Sequence, residues 1–177
     1  MEGTREEIVI GQIAPDFCLP DTEGRIHRLA DYRGQIVILD FWSAECPVSK
    51  EFDSYFNQRY QQWVSRGITL LAIDSNSHYE DDMIRQVKVE RGLLFPILRD
   101  RGNVVADLYD ARTTPHVFII DRDGVLRYRG AIDDRTFRKR VPERHYVEEA
   151  LAAILAGLPV PQPETEPYGC TIVREMR

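Results

Sequence analysis

Cys46 and Pro47 stand between two segments of different pattern. Upstream, Ile36-Val37-Ile38-Leu39-Asp40-Phe41-Trp42 is a continuous apolar run that suits a buried strand. Downstream, Val48, Phe52, Tyr55, Phe56, Tyr60 and Trp63 recur at helical spacing until Gly67. Ser43-Ala44-Glu45 separates the two, so Cys46 is expected at a helix N-terminus, with Pro47 at a first position that needs no N–H. Unpaired backbone N–H groups and the positive end of the helix dipole favour thiolate over thiol there. The chemistry on offer is that of a sulfur nucleophile active at neutral pH. The competing role is a small buried apolar residue. The coincidence of strand, turn, cysteine and helix favours the reactive one.

The elements that must position this sulfur are legible along the chain. Ile13 to Leu19 and Arg25 to Leu29 flank the turn Asp21-Thr22-Glu23-Gly24 and read as a hairpin, with Cys18 in its core. A helix is expected from Pro47 to about Ser65, with its aromatic stripe in the core. Ile68 to Asp74 is a strand. Asp81 to Gly92 is helical, with Met83, Ile84, Val87 and Leu93 facing inward. Phe95 to Leu98 is extended, Gly102 to Tyr109 is one or two helical turns, and Pro115 to Asp121 is a strand. The turn Arg122-Asp123-Gly124 returns the chain as Val125 to Arg129. A last helix spans Glu143 to Ala156, ended by Gly157 and Pro159. Alternating β and α segments predict an α/β fold, a central mixed sheet flanked by helices on both faces, with an N-terminal hairpin. The division expected is one domain over 1–158 and a proline-rich tail over 159–177 that carries Cys170.

Composition narrows the function. A chain of 177 residues with 43% hydrophobic content can hold a core without staples. A net charge of −6 argues against nucleic acid or an anionic membrane as partner. The basic cluster Arg135, Arg138, Lys139, Arg140, Arg144 and His145 reads as a solvated face. No apolar run is long enough to span a bilayer, and the charged N-terminus lacks the stretch of a secretory signal, so a cytoplasmic location is expected. Three cysteines are too few for a disulfide scaffold and fit redox chemistry better. Convergence of Cys46, Cys170 and His116 on copper or zinc has no close Cys/His cluster behind it, so no metal and no cofactor is expected.

Four stretches carry a family likeness: Ala14-Pro15-Asp16-Phe17 through Asp31-Tyr32-Arg33-Gly34; Asp40 to Ser49; Thr114-Pro115-His116-Val117-Phe118-Ile119-Ile120-Asp121; and Tyr128 to Asp134 with the tail around Gly169-Cys170-Thr171-Ile172. On these the chain resembles the thioredoxin-fold superfamily. It is similar to the redoxin branch that includes peroxiredoxins and the alkyl hydroperoxide reductase/thiol-specific antioxidant family. The resemblance implies a thioredoxin-like fold and places Cys46 on the attacking thiol. It places Ser49 on the second cysteine of a Cys-x-x-Cys motif, where serine forms no disulfide but offers a hydroxyl to the sulfur. Ser43 falls on the peroxiredoxin threonine that holds peroxide and bonds the sulfur. Pro115 falls on the cis-proline beside the thiol, and Thr114 before it would offer backbone groups to an extended thiol substrate. Asp40 matches a buried carboxylate with a raised pKa that relays protons. An ordinary strand polar group is the alternative for Asp40. Two departures stand out: Leu39 replaces the proline that opens the peroxiredoxin motif, and Arg112 is the nearest substitute for its arginine. His116 is either beside the thiol or an ordinary strand histidine.

A thiol oxidised by peroxide becomes a sulfenic acid and needs a partner to reset it. Cys170 is the candidate resolving thiol. The segment Pro159 to Pro167 should be extended, advancing about 3.1 Å per residue, which would carry Cys170 across the domain towards Cys46, and Gly169 would permit a close approach. The alternative is an edge strand with an inert Cys170. The expected function is thiol-dependent oxidoreduction, foremost a peroxiredoxin-like peroxidase acting through Cys46. Its alternatives are a thiol-disulfide oxidoreductase without peroxidase activity and a non-catalytic redox-sensing or binding module. The expected partners are a hydroperoxide or disulfide substrate and a thioredoxin-type or small-thiol reductant. A homodimer is compatible with the sequence; nucleic acid and membrane are not expected partners.

Overall fold

A computed structural model describes residues 7–76 and 78–176. The apolar run upstream of Cys46 forms the central strand β3, Ile36–Trp42, every residue of it buried. β4, Ile68–Asp74, lies parallel to it, and β5, Ile97–Arg99, lies parallel to β4. On the other side β7, Val117–Ile120, runs antiparallel to β3, and β8, Leu126–Gly130, antiparallel to β7. The resulting sheet has the order β5-β4-β3-β7-β8. It is the mixed α/β arrangement expected from the sequence.

Period-two alternation divides the core. Ile36, Ile38 and Trp42 face one side with Ile68, Leu70, Val117 and Ile119. That layer is covered by α1 (Pro47–Glu51), α2 (Asp53–Ser65), α3 (Asp81–Arg91) and α5 (Tyr146–Leu155). Val37, Leu39 and Phe41 face the other side with Phe118 and Ile120, under α4 (Val104–Tyr109) and the hairpin of β1 (Cys18–Pro20) and β2 (Ile26–Arg28). Asp40 shares its parity with Ile38 and Trp42, so its carboxylate belongs to the layer beneath α1 and α2.

Several local expectations are corrected. The helix predicted from Pro47 to Ser65 is two helices that meet at Phe52. The turn tightens there because the Phe52 N–H bonds the Ser49 carbonyl, and the break lets Asp53 reach the indole N–H of Trp42. Cys18 is exposed rather than core, because alternation in β1 turns Leu19 inward. Met83 is 47% exposed, since Ile84 holds the inward line of α3. α5 begins at Tyr146, after a loop in which Asp134 accepts the N–H groups of Glu143 and Arg144. Much of the basic cluster is paired: Arg135 and Arg140 meet Glu51, Lys139 meets Asp134, and Arg144 meets Glu149.

The tail straps the domain. Arg129 on β8 exchanges backbone hydrogen bonds with Pro163 and Thr165. Farther on, β9 (Cys170–Thr171) pairs antiparallel with β6 (Thr113–Thr114), in the register Thr114 opposite Cys170. Cys170 packs against the α1–α2 layer and Ile172 is buried in the α4 layer, so the tail grips both sides of the sheet.

Candidate active site

Cys46 caps α1 at the end of the loop that leaves β3. Its Sγ accepts the Ser49 N–H at 3.3 Å and lies 3.1 Å from the Thr114 carbonyl, to which the thiol donates. The Thr114–Pro115 peptide bond is cis. The loop itself is tied down by residues the sequence reading did not single out. Trp42 Nε1 donates to Asp53 at 2.9 Å, Arg91 pairs with Asp53 at 3.1 Å, and Arg91 donates to the Ala44 carbonyl at 2.6 Å. Nothing local in the sequence links Arg91 to position 44, because the contact spans 47 residues.

Cys170 lies in hydrogen-bonding reach of the Cys46 sulfur, side chain to side chain. The two thiols divide one proton unequally. Burial opposes ionisation of Cys46, but donors from the Cys170 side chain, Thr114 and the Ser49 and Cys170 backbone outweigh it, and its pKa is lowered. Burial and the neighbouring Cys46 push the Cys170 thiol up to about 11. Of the two sulfurs, Cys46 is therefore the one that gives up its proton more readily, and Cys170 the one that keeps it. Both thiols line the same cleft.

The serines act otherwise than expected. Ser49 binds the sulfur through its backbone N–H, while its hydroxyl oxygen accepts the Ser43 N–H at 3.2 Å. Ser43 is buried at the rim of the opening over Cys46, and among the described residues its hydroxyl makes no bond to the sulfur. Asp40 is 1% exposed, and its Oδ1 has no hydrogen-bond partner among the described residues. Burial first, then the charges of Asp53 and Cys46, raise its pKa well above the carboxylate range.

Two further residues lie away from the thiol. His116 points with Phe118 into the opposite layer, where its Nδ1 accepts the Arg112 N–H at 3.2 Å. Burial, aided by the charges of Arg112 and Arg129, lowers its pKa to about 3, so it is neutral. The Arg112 side chain pairs with Glu166 and, with His116, lines a separate cavity of about 460 Å³. His116 therefore does not join the two cysteines as a ligand, and Arg112 does not stand over the sulfur. Cys46 is 4% exposed, yet it opens onto a cleft of about 190 Å³ lined by Ser43, Glu45, Pro47, Asn76, His78 and Tyr79 together with the tail.

The profile of the AhpC/TSA family matches residues 10–129. Thiol-disulfide oxidoreductase ResA of Geobacillus thermodenitrificans is 37% identical over 121 residues, which cover 68% of this chain and 68% of that one. An uncharacterised conserved protein from Geobacillus kaustophilus superimposes with a TM-score of 0.87 at 30% identity, covering 97% of this chain and 95% of the other. Peroxidoxin BcpB from Mycobacterium tuberculosis, at 20% identity and a TM-score of 0.65, covers 85% of this chain and 98% of its own and shares the fold.

Proposed function

The chain belongs to the AhpC/TSA family, and from that premise we propose that this oxidoreductase performs thiol-disulfide exchange through Cys46 and Cys170. The thiolate of Cys46 attacks one sulfur of a disulfide, and the other sulfur leaves as a thiolate. The Cys170 thiol then attacks Cys46 Sγ, expelling the second substrate thiol and closing a Cys46–Cys170 disulfide. The proton from Cys170 passes to the leaving sulfur. Asp40, buried in the same layer, is the group placed to hold a proton during the exchange. A thioredoxin-type dithiol returns both cysteines to the reduced state.

The observation that carries this reading is the contact between a Cys46 sulfur with lowered pKa and a protonated Cys170. Cys170 supplies from the tail the second thiol that Ser49 cannot. Similarity to ResA proteins over two thirds of the chain favours disulfides over hydroperoxides as substrate. So does the cleft over Cys46, which no arginine lines among the described residues. The test is a substrate comparison with purified reduced protein. Disulfides should convert Cys46 and Cys170 to the intramolecular disulfide faster than hydrogen peroxide at equal concentration. Faster oxidation by peroxide, with turnover on a dithiol donor, would restore the peroxidase reading.

A further inference from the structure

We propose that the tail strand Gly169-Cys170-Thr171 is a resident occupant of the substrate edge of β6, and that while docked it restricts Cys46 to small disulfides and shuts out disulfides carried on polypeptide. This deepens the disulfide-exchange reading and rests on it. An extended chain can bring a sulfur to Cys46 by pairing with β6 and placing its cysteine opposite Thr114, which is what Cys170 does. There is no room for a second strand between them. A Cβ built on Gly169 would fall 2.1 Å from the Thr114 carbonyl oxygen, so the tail backbone is in direct contact with the edge.

The tail is held on both sides of that contact. Upstream, the Thr165 hydroxyl oxygen accepts the Ala131 N–H at 2.9 Å. Downstream, the Ile172 N–H bonds the Arg112 carbonyl at 3.0 Å and the Ile172 side chain is 3% exposed. Val173 is gripped from two directions: its N–H donates to Asn76 at 3.1 Å and its carbonyl accepts from Asn103 at 3.2 Å. Asn103 also accepts the Glu175 N–H at 2.8 Å. As an intramolecular competitor the tail acts at an effective concentration on the order of millimolar, so a polypeptide at micromolar concentration is outcompeted by roughly 10²–10³-fold.

What stays open is the cleft of about 190 Å³ on the side of Ser43, Pro47 and Asn76. A small disulfide RSSR enters there. Cys46 takes one RS group, Cys170 displaces it, and two RSH leave as the Cys46–Cys170 bond forms. Two electrons pass from the protein to the substrate, and the thiol protons go with them.

The test uses the reduced 177-residue chain with two probes, bis(2-hydroxyethyl) disulfide and insulin. Each rate of Cys46 loss, read by acid quench and mass spectrometry, is divided by that of free cysteine with the same probe. The intact chain should favour the small probe by at least about tenfold on this scale. Ile172→Asp, which expels the anchor and withdraws Cys170 from the Cys46 sulfur, should raise the ratio of the insulin rate to the small-probe rate about tenfold, whatever it does to the small-probe rate itself. Gly169→Ala, which leaves both cores untouched, should act in the same direction if Ile172→Asp proves too unstable. Equal normalised rates in the intact chain, or a ratio unmoved by both variants, overturns the proposal. Loss of Cys46 with neither probe instead removes the disulfide-exchange reading beneath it.

Discussion

Cys170 faces Thr114 across the β6–β9 pair, while Cys46 touches the same Thr114 at its carbonyl, 3.1 Å away. One residue thus brings together two thiols that lie 124 positions apart in sequence, since 170 minus 46 is 124. The expected consequences can be measured.

The two cysteines should differ in what their loss does. Cys46→Ser should abolish exchange with bis(2-hydroxyethyl) disulfide. Cys170→Ser should keep the first step and stop at the mixed disulfide on Cys46. Intact-mass analysis of quenched samples separates these states; a mixed disulfide on Cys170 in the Cys46→Ser protein, formed at the wild-type rate, would reverse the roles.

Alkylation should report the ionisation of Cys46. The rate with iodoacetamide follows the thiolate fraction, so it should reach half its plateau at a pH below the ordinary thiol value. Cys170→Ala removes a donor that lowers the Cys46 pKa, so the midpoint should move to higher pH. A midpoint that stays put, or falls, contradicts the pairing of the two thiols. Peptide mapping after alkylation assigns the signal to Cys46.

Asp40 should make the fold less stable as pH rises. Its folded pKa is above the ordinary 3.8, so the native state binds more protons than the unfolded state between those two values. The favourable contribution is full below about pH 4 and is lost as pH climbs through the raised folded value. Asp40→Asn removes this loss. The difference in Tm, variant minus wild type, should therefore be more positive at pH 8 than at pH 4. Thermal melts at the two pH values decide it.

Arg91 should matter to both stability and reactivity. Arg91→Met strips Asp53 of its ion pair and Ala44 of a donor. Breaking a buried pair costs about 3–5 kcal/mol; the partly exposed Arg91 side chain reduces the expected loss to about 2 kcal/mol. Urea denaturation measures the loss. Alkylation of Cys46 should also slow, because the loop that presents it loses its tie.

The strands, most of the helices and the place of Cys46 at a helix N-terminus were legible because each is encoded by local pattern. A seven-residue apolar run makes a buried strand wherever it lies. A cysteine before proline at the head of an amphipathic segment becomes a helix cap. The errors were those of local pattern too. Met83 and Cys18 carry apolar side chains, but helical phase and strand parity turned them out. Ser49 was read by its hydroxyl, whereas helix geometry presents its backbone N–H to the sulfur.

By itself the sequence determined a mixed α/β sheet and a cysteine that caps a helix just past the end of its central strand, because periodicity and capping act over a few residues. Tertiary structure decided which group that sulfur meets. The Thr114–Cys170 register, the Arg91 tie to Ala44 and the turning of His116 to the far layer all join distant segments. Such contacts follow from how layers pack and which face each strand presents, and no short stretch of the chain encodes them.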